Sequence, residues 1–248
     1  MGQTVVRLMR EAGDFDVIGG IDREASTNAH NLPRIDTIDG AADLIRRAAV
    51  VIDFSASEAT TQFIRDRAGD LRGKAIVIGT TGLAPDIEAA LDTLARETAV
   101  LLSANFSIGV NLMLGLVEEA ARVLDAEHFD VEIVEAHHRH KADAPSGTAL
   151  ALGRAIAKAR GIQLDHARKD GRSGKGGARP TGEIGFHALR GGEIAGDHEV
   201  AFIGAREQLA ISHHAADRAI FADGAIRAAR WIAGKPAGRY TMKDVLGI

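Results

Sequence analysis

The spacing of apolar positions along the first half of the chain predicts strands that alternate with helices. Residues 2–11 have helical periodicity, because Val5, Val6, Leu8 and Met9 are apolar between polar neighbours. Beyond this helix, helical segments separate short apolar runs, and the predicted strands are FDVIGGIDRE, VVIDFS, KAIVIGTTG and AVLLSANFS. Continuous apolar runs of this length are typical of strands buried on both faces. The alternation predicts an α/β domain with a doubly wound parallel sheet.

The pattern changes in the second half, after a long helical stretch from Gly109 to about Leu124. The strand VEIVEAHHRH and the helix SGTALALGRAIAKAR precede a Gly- and Arg-rich loop, and three strands follow in succession: EIGFHALR, GEIAGDHEVAFIG and REQLAISHHA. Consecutive strands predict a second, α+β domain with a largely antiparallel sheet, in which RGGE forms a hairpin turn. The last helical segment is expected to pack back on the first domain. The predicted boundaries are 1–106 with 218–248 for the first domain, and 107–217 for the second.

Composition and charge exclude several classes of protein. The chain has 248 residues and no cysteine, so disulfides and thiolate catalysis are excluded. A net charge of −4 does not suggest a nucleic-acid binder or a protein that binds anionic membranes. No apolar run has the length of a membrane span or of a signal-peptide core. We therefore expect a soluble, cytoplasmic protein.

Three predicted strands of the first domain end in polar or Gly-rich segments. These are Asp22-Arg23, GTTG at 79–82 and SANFS at 103–107. Carboxyl ends of parallel strands meet at one edge of a sheet, and open α/β folds bind ligands there, so together the three segments favour a ligand crevice. Asp22 stands at the distance from Gly2, about 20 residues, at which dinucleotide-binding folds place the acid that holds the adenosine ribose. Taken singly, each segment also fits a solvated strand end or a plain turn.

The stretch EAHHRHKADAPSGTA carries the densest chemistry of the chain. His138 and His140 would share one face of a strand, so a zinc pair is conceivable, but no third ligand set is evident and Lys141 adds a positive charge. No metal is therefore expected. His137 and Lys141 are both of a type that can donate protons near neutral pH.

The end of the same stretch, PSGT, begins a predicted helix. Free backbone N–H groups and the positive end of the helix dipole make such a start a ready carboxylate or phosphate site. An ordinary capped helix after a solvated strand end would also use Ser146 as its N-cap. The number of reactive side chains beside it favours a site for a small anionic substrate.

EAHHRHKADAPSGTA closely resembles the diagnostic motif of the 4-hydroxy-tetrahydrodipicolinate reductase (dihydrodipicolinate reductase) family of the diaminopimelate–lysine pathway. The resemblance covers nearly the whole chain and includes VIDFS, VIGTTG, SANFSIGVN, GEIGFHALRGGEIAGDHEV and FADGAIRAARW. It implies a Rossmann-like dinucleotide-binding domain and a second domain that binds substrate and forms a homotetramer. The implied reaction transfers hydride from NADH or NADPH to a cyclic, unsaturated pyridine dicarboxylate.

The resemblance also implies roles for individual residues. His137 corresponds to the acid/base residue and Lys141 to the proton donor, while His138, Gly147 and Thr148 correspond to residues that hold a substrate carboxylate. The implied cofactor contacts are Met1, Asp22, Arg23, Gly79, Thr80, Thr81, Ser103, Ala104, Asn105 and Phe106. Asp22 suits a free ribose of NADH and Arg23 permits the 2′-phosphate of NADPH, so the choice between the two stays open.

The chain departs from the family pattern at its start. Family members have a strand and a G-x-x-G-R-M-G loop before the first helix, and only Met1-Gly2 corresponds to them here. A misplaced start is favoured over a genuine shortening, and weak NAD(P)H binding is expected of the 248-residue chain. Two other functions remain: another NAD(P)-dependent amino-acid dehydrogenase of the same architecture, which would not need the HHRHK and PSGT cluster, and a binding module that does not oxidise NAD(P)H.

Overall fold

The computed structural model describes residues 1–24 and 32–248, and they form two compact units. The first unit contains Met1–Ile108 and Ala219–Gly247, and the second contains Gly109–Arg218 together with Ile248. The helices are α1 (Gly2–Ala12), α2 (Ala42–Arg47), α3 (Ser57–Arg67), α4 (Pro85–Leu94), α5 (Ile108–Val123), α6 (Gly147–Ala159), α7 (Leu164–Ala167), α8 (Ala219–Ile232) and α9 (Met242–Leu246), with a 3₁₀ turn at Ala68–Leu71. The strands are β1 (Gly20–Ile21), β2 (Ile35–Asp36), β3 (Val50–Asp53), β4 (Ala75–Ile78), β5 (Ala99–Leu102), β6 (Asp130–His137), β7 (Arg168–Asp170), β8 (Ile184–Arg190), β9 (Asp197–Ile203), β10 (Gln208–His214) and β11 (Gly238–Tyr240).

The first unit has the predicted parallel α/β architecture. Strands β11, β5, β4 and β3 form a parallel sheet in that order, and every residue of β4 is buried, as its continuous apolar run predicts. Strands β1 and β2 form a separate parallel pair, which among the described residues has no ladder to β3. The predicted strand FDVIGGIDRE is therefore much shorter in the structure, and β2 lies in a segment predicted to be loop. The rest of that predicted loop includes residues 28–31, which lie outside the described residues.

Helix α1 joins the first unit through its apolar face. Val5 and Met9 are buried in a core that also contains the small side chains of α8, so the helical periodicity of residues 2–11 is confirmed. Gly13 ends the helix in the left-handed conformation at φ 73°, which a residue with a side chain rarely adopts. Beyond it, Arg230 donates to both carboxylate oxygens of Asp14 at 2.6 and 2.9 Å.

The second unit contains a five-stranded mixed sheet in the order β10-β9-β6-β8-β7. Strand β9 is antiparallel to both β10 and β6, but β8 is parallel to both β6 and β7. The prediction of a largely antiparallel sheet is therefore wrong for half of the strand pairs. The predicted RGGE hairpin is also wrong, because β6 lies between β8 and β9. Residues 191–196 instead pass around the end of β6, where the amide of Gly191 donates to His137 O at 3.0 Å and His138 N donates to Ile194 O at 2.8 Å.

The core of the second unit positions the candidate site. Burial alternates along β6, so Val131, Ile133, Glu135 and His137 share the buried face. The first two pack in a core with apolar residues of α5 and α6, whereas the last two bring polar groups to the carboxyl end of the same face. Within the part of the chain that the structure describes, no helix is long and apolar enough to cross a bilayer.

Candidate active site

The buried carboxylate of Glu135 is the centre of the polar cluster at the end of β6. Its side chain is 1% exposed, and three groups donate to it. His137 Nδ1 lies 2.6 Å from Oε2, Arg190 reaches Oε1 at 2.7 Å and Oε2 at 2.8 Å, and Ser146 N lies 3.0 Å from Oε1. Burial alone would raise the pKa of Glu135, but the hydrogen bonds from Arg190, His137 and Ser146 outweigh burial and lower it. The carboxylate is therefore ionised at neutral pH and can only accept hydrogen bonds.

His137 lies at the last position of β6 and is almost fully buried, at 8% exposure. Its Nδ1 is used by Glu135, which leaves Nε2 for another partner. The Cβ position of Gly196 is 3.0 Å from this Nε2, so the glycine keeps space beside the nitrogen. The ring of His198 packs edge-on against that of His137, with the centroids 5.1 Å apart.

The loop between β6 and α6 carries Lys141. Its ammonium pairs with Asp143 Oδ1 at 2.9 Å, and this hydrogen bond lowers the pKa of Asp143. Arg190 donates to the carbonyl oxygen of Asp143 at 2.6 Å, so one guanidinium connects this loop to Glu135. Asp143 is 60% exposed, and the Lys141 pair is therefore open to exchange with a carboxylate of a ligand.

Helix α6 begins within the same cluster. Ser146 is its N-cap and accepts from the amide of Ala149 at 3.2 Å. Gly147 is exposed and Thr148 is half-buried, so the first turn of the helix presents backbone N–H groups beside the loop. The structure thus brings together the predicted residues His137, Lys141, Gly147 and Thr148.

His198 is the second buried histidine of the cluster. Its Nε2 lies 3.1 Å from Ser146 Oγ, while its Nδ1 is buried without a hydrogen-bond partner among the described residues. Burial, and next to it the proximity of His137, lower the pKa of His198 to about 4, so this ring is neutral at physiological pH.

His138 and His140 follow His137 after the end of β6, so the prediction that they share one face of a strand is wrong. Their ring centroids are 6.2 Å apart, and Nδ1 of His138 is buried without a partner among the described residues. No group of three His, Asp or Glu side chains suited to a metal ion occurs in residues 1–24 and 32–248.

In the first unit, the predicted cofactor residues other than Met1 follow the carboxyl ends of β1, β4 and β5. Asp22 and Arg23 are exposed after β1, and the amide of Arg23 donates to Asp22 Oδ1 at 2.7 Å. Met1 is the residue before α1, and its carbonyl accepts from Val5 N at 3.0 Å. Thr81 is exposed after β4. These positions are exposed and therefore accessible to a ligand.

Other members of the predicted cofactor set have partners inside the unit. A Cβ at Gly79 would lie 2.3 Å from the ring of Phe54, so close packing explains this glycine. Thr80 is buried, and its hydroxyl oxygen lies 2.9 Å from Thr60 Oγ1. Thr60 in turn donates to Asp53 Oδ2 at 2.6 Å, which makes a small buried network at the end of β3.

The segment after β5 is also organised by its own contacts. Ser103 Oγ donates to the carbonyl oxygen of Asn105 at 2.7 Å, and Asn105 Oδ1 accepts from Ser107 N at 2.8 Å. Phe106 is buried and packs against Phe54, with the ring centroids 5.3 Å apart. Ala104 is exposed at the tip. The turn is therefore preformed and presents backbone at the sheet edge.

Glu135, Arg190 and His198 were not predicted as site residues. Glu135 sits in a strand whose alternating pattern marks it as inward-facing, and an inward-facing carboxylate requires partners. That signal was present in the sequence. Arg190, however, is 55 residues away and meets Glu135 only because β6 and β8 are parallel neighbours, with His137 paired to Arg190 in register.

Comparison with known proteins gives matches over both units. The family model described as "Dihydrodipicolinate reductase, N-terminus" matches residues 1–106, and the one described as "Dihydrodipicolinate reductase, C-terminus" matches residues 109–246. The chain is 45% identical over 259 residues to 4-hydroxy-tetrahydrodipicolinate reductase 1 of Mesorhizobium japonicum, an alignment that covers 100% of this chain and 93% of that relative. The corresponding values for the 4-hydroxy-tetrahydrodipicolinate reductase of Parvibaculum lavamentivorans are 44% over 259 residues, 100% and 94%. A dipicolinate-bound dihydrodipicolinate reductase from Paenisporosarcina sp. TG-14 shares the fold, with a TM-score of 0.74 at 21% identity over 97% of this chain and 92% of that one.

Proposed function

Because the chain belongs to the dihydrodipicolinate reductase family, we propose that it catalyses the NAD(P)H-dependent reduction of 4-hydroxy-tetrahydrodipicolinate in diaminopimelate–lysine biosynthesis. The observation that carries this proposal for the chain's own residues is the cluster around Glu135. It sets the imidazole of His137 beside a loop that carries Lys141 and a helix start that can bind an anion. A ring dicarboxylate that accepts a hydride and a proton needs an acid/base group, a proton donor and an anion-binding site, which His137, Lys141 and the start of α6 would supply.

The proposed roles follow from the groups that each residue offers. The backbone N–H groups at Gly147 and Thr148 hold a substrate carboxylate at the positive end of α6, and His138 supports the same group. Lys141 exchanges the exposed carboxylate of Asp143 for the substrate and donates the proton to the reduced ring. His137 acts as the acid/base residue through Nε2.

The nicotinamide cofactor, NADH or NADPH, supplies the hydride when it is bound. The accessible positions of the first unit fit such a group, because Asp22, Arg23, Thr81 and Ala104 are exposed at the ends of parallel strands. Gly79, Thr80, Ser103, Asn105 and Phe106 would shape this edge from within, since their contacts organise its turns. Met1 belongs to the proposed set at the start of α1.

The proposal includes the assembly and location of the protein. The second unit is its substrate-binding and oligomerisation domain, and copies associate through its sheet into a homotetramer. The first unit is the dinucleotide-binding domain. Reduction with NAD(P)H draws on the cofactor pool of the cytoplasm, where we place the protein.

An assay of NAD(P)H oxidation with freshly generated substrate tests the proposal. The chain is expected to oxidise NAD(P)H only when substrate is present, and His137→Ala and Lys141→Ala are each expected to lower kcat by about 100-fold or more, the usual contribution of one acid/base group. His128→Ala and Lys158→Ala are matched controls, because these side chains are 72% and 77% exposed and lie outside the cluster. Absence of substrate-dependent oxidation would refute the function. Unchanged turnover of both site variants would refute the residue roles.

A further inference from the structure

One carboxylate holds three parts of the proposed site in fixed relative positions. Oε2 of Glu135 accepts from His137, and Oε1 accepts from the backbone amide of Ser146, the N-cap residue of α6. Both oxygens also accept from Arg190. Arg190 extends this arrangement to the Lys141 loop through the carbonyl oxygen of Asp143. A bidentate arginine pair resists rotation of the carboxylate, because rotation would break two charge-assisted hydrogen bonds at once.

The carboxylate also decides which ring nitrogen of His137 carries the proton. An ionised carboxylate has no proton to give, so Nδ1 of His137 must donate at the 2.6 Å contact. In the neutral ring the proton is then on Nδ1, and Nε2 has its lone pair directed away from Glu135. An acid/base residue that acts through Nε2 requires this tautomer.

We infer that Glu135 is the positioning residue of the proposed reductase: it fixes the Nδ1–H tautomer of His137 and, through Arg190 and Ser146, the place of that ring relative to Lys141 and the start of α6. Glu135 does not touch the reacting atoms and acts only through its neighbours. The inference rests on the proposed function, because it assigns His137 its reactive nitrogen.

The same strand contains a near duplicate of this arrangement on its opposite face. Glu132 accepts from His187 Nε2 at 2.8 Å and from Arg179 Nε at 3.0 Å, so it too joins one histidine and one arginine. It lies three positions before Glu135, and therefore on the other side of the sheet, away from the cluster. Glu132→Gln is thus a matched control that removes a carboxylate from the same strand and the same kind of network.

The test compares Glu135→Gln with Glu132→Gln in the full chain. A glutamine amide can donate to Nδ1, so Glu135→Gln is expected to move the proton of His137 from Nδ1 to Nε2. Imidazole ¹⁵N chemical shifts in mildly alkaline buffer, where a free imidazole is neutral, report the tautomer. We expect kcat to fall by about 100-fold, as for loss of acid/base catalysis, with a much smaller change in KM. Glu132→Gln should keep both the tautomer and kcat.

Three results would overturn the inference. The unmodified protein could show the Nε2–H tautomer of His137, a measurement that does not depend on any variant folding. Glu135→Gln could retain kcat, or could lower kcat while His137 keeps the Nδ1–H tautomer. If His137→Ala abolishes turnover but Glu135→Gln changes neither kcat nor the tautomer of His137, the positioning role fails while the proposed function stands. If His137→Ala is fully active, the residue roles in the proposed function fail first.

Discussion

At the scale of single residues, His198 shows what a buried polar cluster costs in stability. Its ring is 5% exposed, and His137, Glu135, His213 and Asp197 are the ionisable groups around it. Burial lowers its pKa from 6.5 to about 4. The folded protein therefore resists a proton that the unfolded chain accepts, and protonation favours unfolding.

This difference predicts a loss of stability in mild acid. Between pH 6.5 and pH 4 the unfolded state binds more protons at His198, so the free energy of unfolding falls as the pH falls and this contribution is fully retained only above pH 6.5. Two-state linkage with these pKa values gives a loss of about 2 kcal/mol between about pH 7 and pH 5. Urea unfolding curves at several pH values measure it.

His198→Gln is the control for this prediction, because glutamine keeps a hydrogen bond to Ser146 within reach but does not titrate. His213, whose pKa is also lowered by burial, is present in both proteins, so its contribution cancels in the comparison. Glu135 has a lowered pKa and loses its stabilising contribution only at more acidic pH, below its ordinary value of 4.5. Equal pH dependence of the two proteins between pH 5 and pH 7 would show that His198 is not responsible.

At the scale of elements, local patterns predicted some structures well and failed where distant segments meet. The alternation in VEIVEAHH and the helix after PSGT were predictable, because side-chain periodicity and an N-cap serine are local signals. The RGGE turn was predicted wrongly because the same residues suit a hairpin and a crossover. Only the pairing of β6 between β8 and β9 decides between them. For the same reason the partner of Glu135 could not be predicted, since Arg190 reaches it through that pairing.

Two helical glycines allow a direct test of packing against helix propensity. Gly153 in α6 faces Phe186, and a Cβ there would lie 2.4 Å from the ring. Among the described residues, a Cβ at Gly115 in α5 would have only Ile248 nearby, at an ordinary contact distance of 3.7 Å. Alanine favours a helix interior over glycine by about 1 kcal/mol, while overpacking a core costs about 1–3 kcal/mol.

We therefore expect opposite signs for the two substitutions. Gly115→Ala should stabilise the protein by about 0.5–1 kcal/mol, because propensity acts without a clash. Gly153→Ala should destabilise it by up to about 2 kcal/mol, because displacement of Phe186 outweighs the propensity gain. Denaturant unfolding of both variants beside the unmodified chain measures the difference. Stabilisation by both substitutions would show that Phe186 moves at little cost.

At the scale of the whole molecule, the family and the general architecture could be predicted from the sequence, because motifs from both halves resemble one family and its models match both. The proposed tetramer concerns the face of the second unit's sheet opposite the helices. Arg190 reaches Glu135 on the helix-covered face, so the adjacent Leu189 points to the other face, where it is 58% exposed. Ile203 is 38% exposed on this same face of β9. Exposed apolar side chains on a sheet are typical of an interface.

Light scattering after size-exclusion chromatography tests this assembly. The full chain is expected to have about four times its mass of 26.2 kDa. Leu189→Asp should shift the protein to smaller species, because association would bury an unpaired carboxylate at the interface. Leu112→Asp is the matched control, since Leu112 lies on α5 and is 45% exposed but does not belong to the sheet. A monomeric unmodified chain would refute the tetramer, whereas equal dissociation by both variants would move the interface away from the sheet. If Leu189→Asp alone dissociates the protein while its unfolding midpoint stays near that of Leu112→Asp, the outer face of the sheet is where the copies meet.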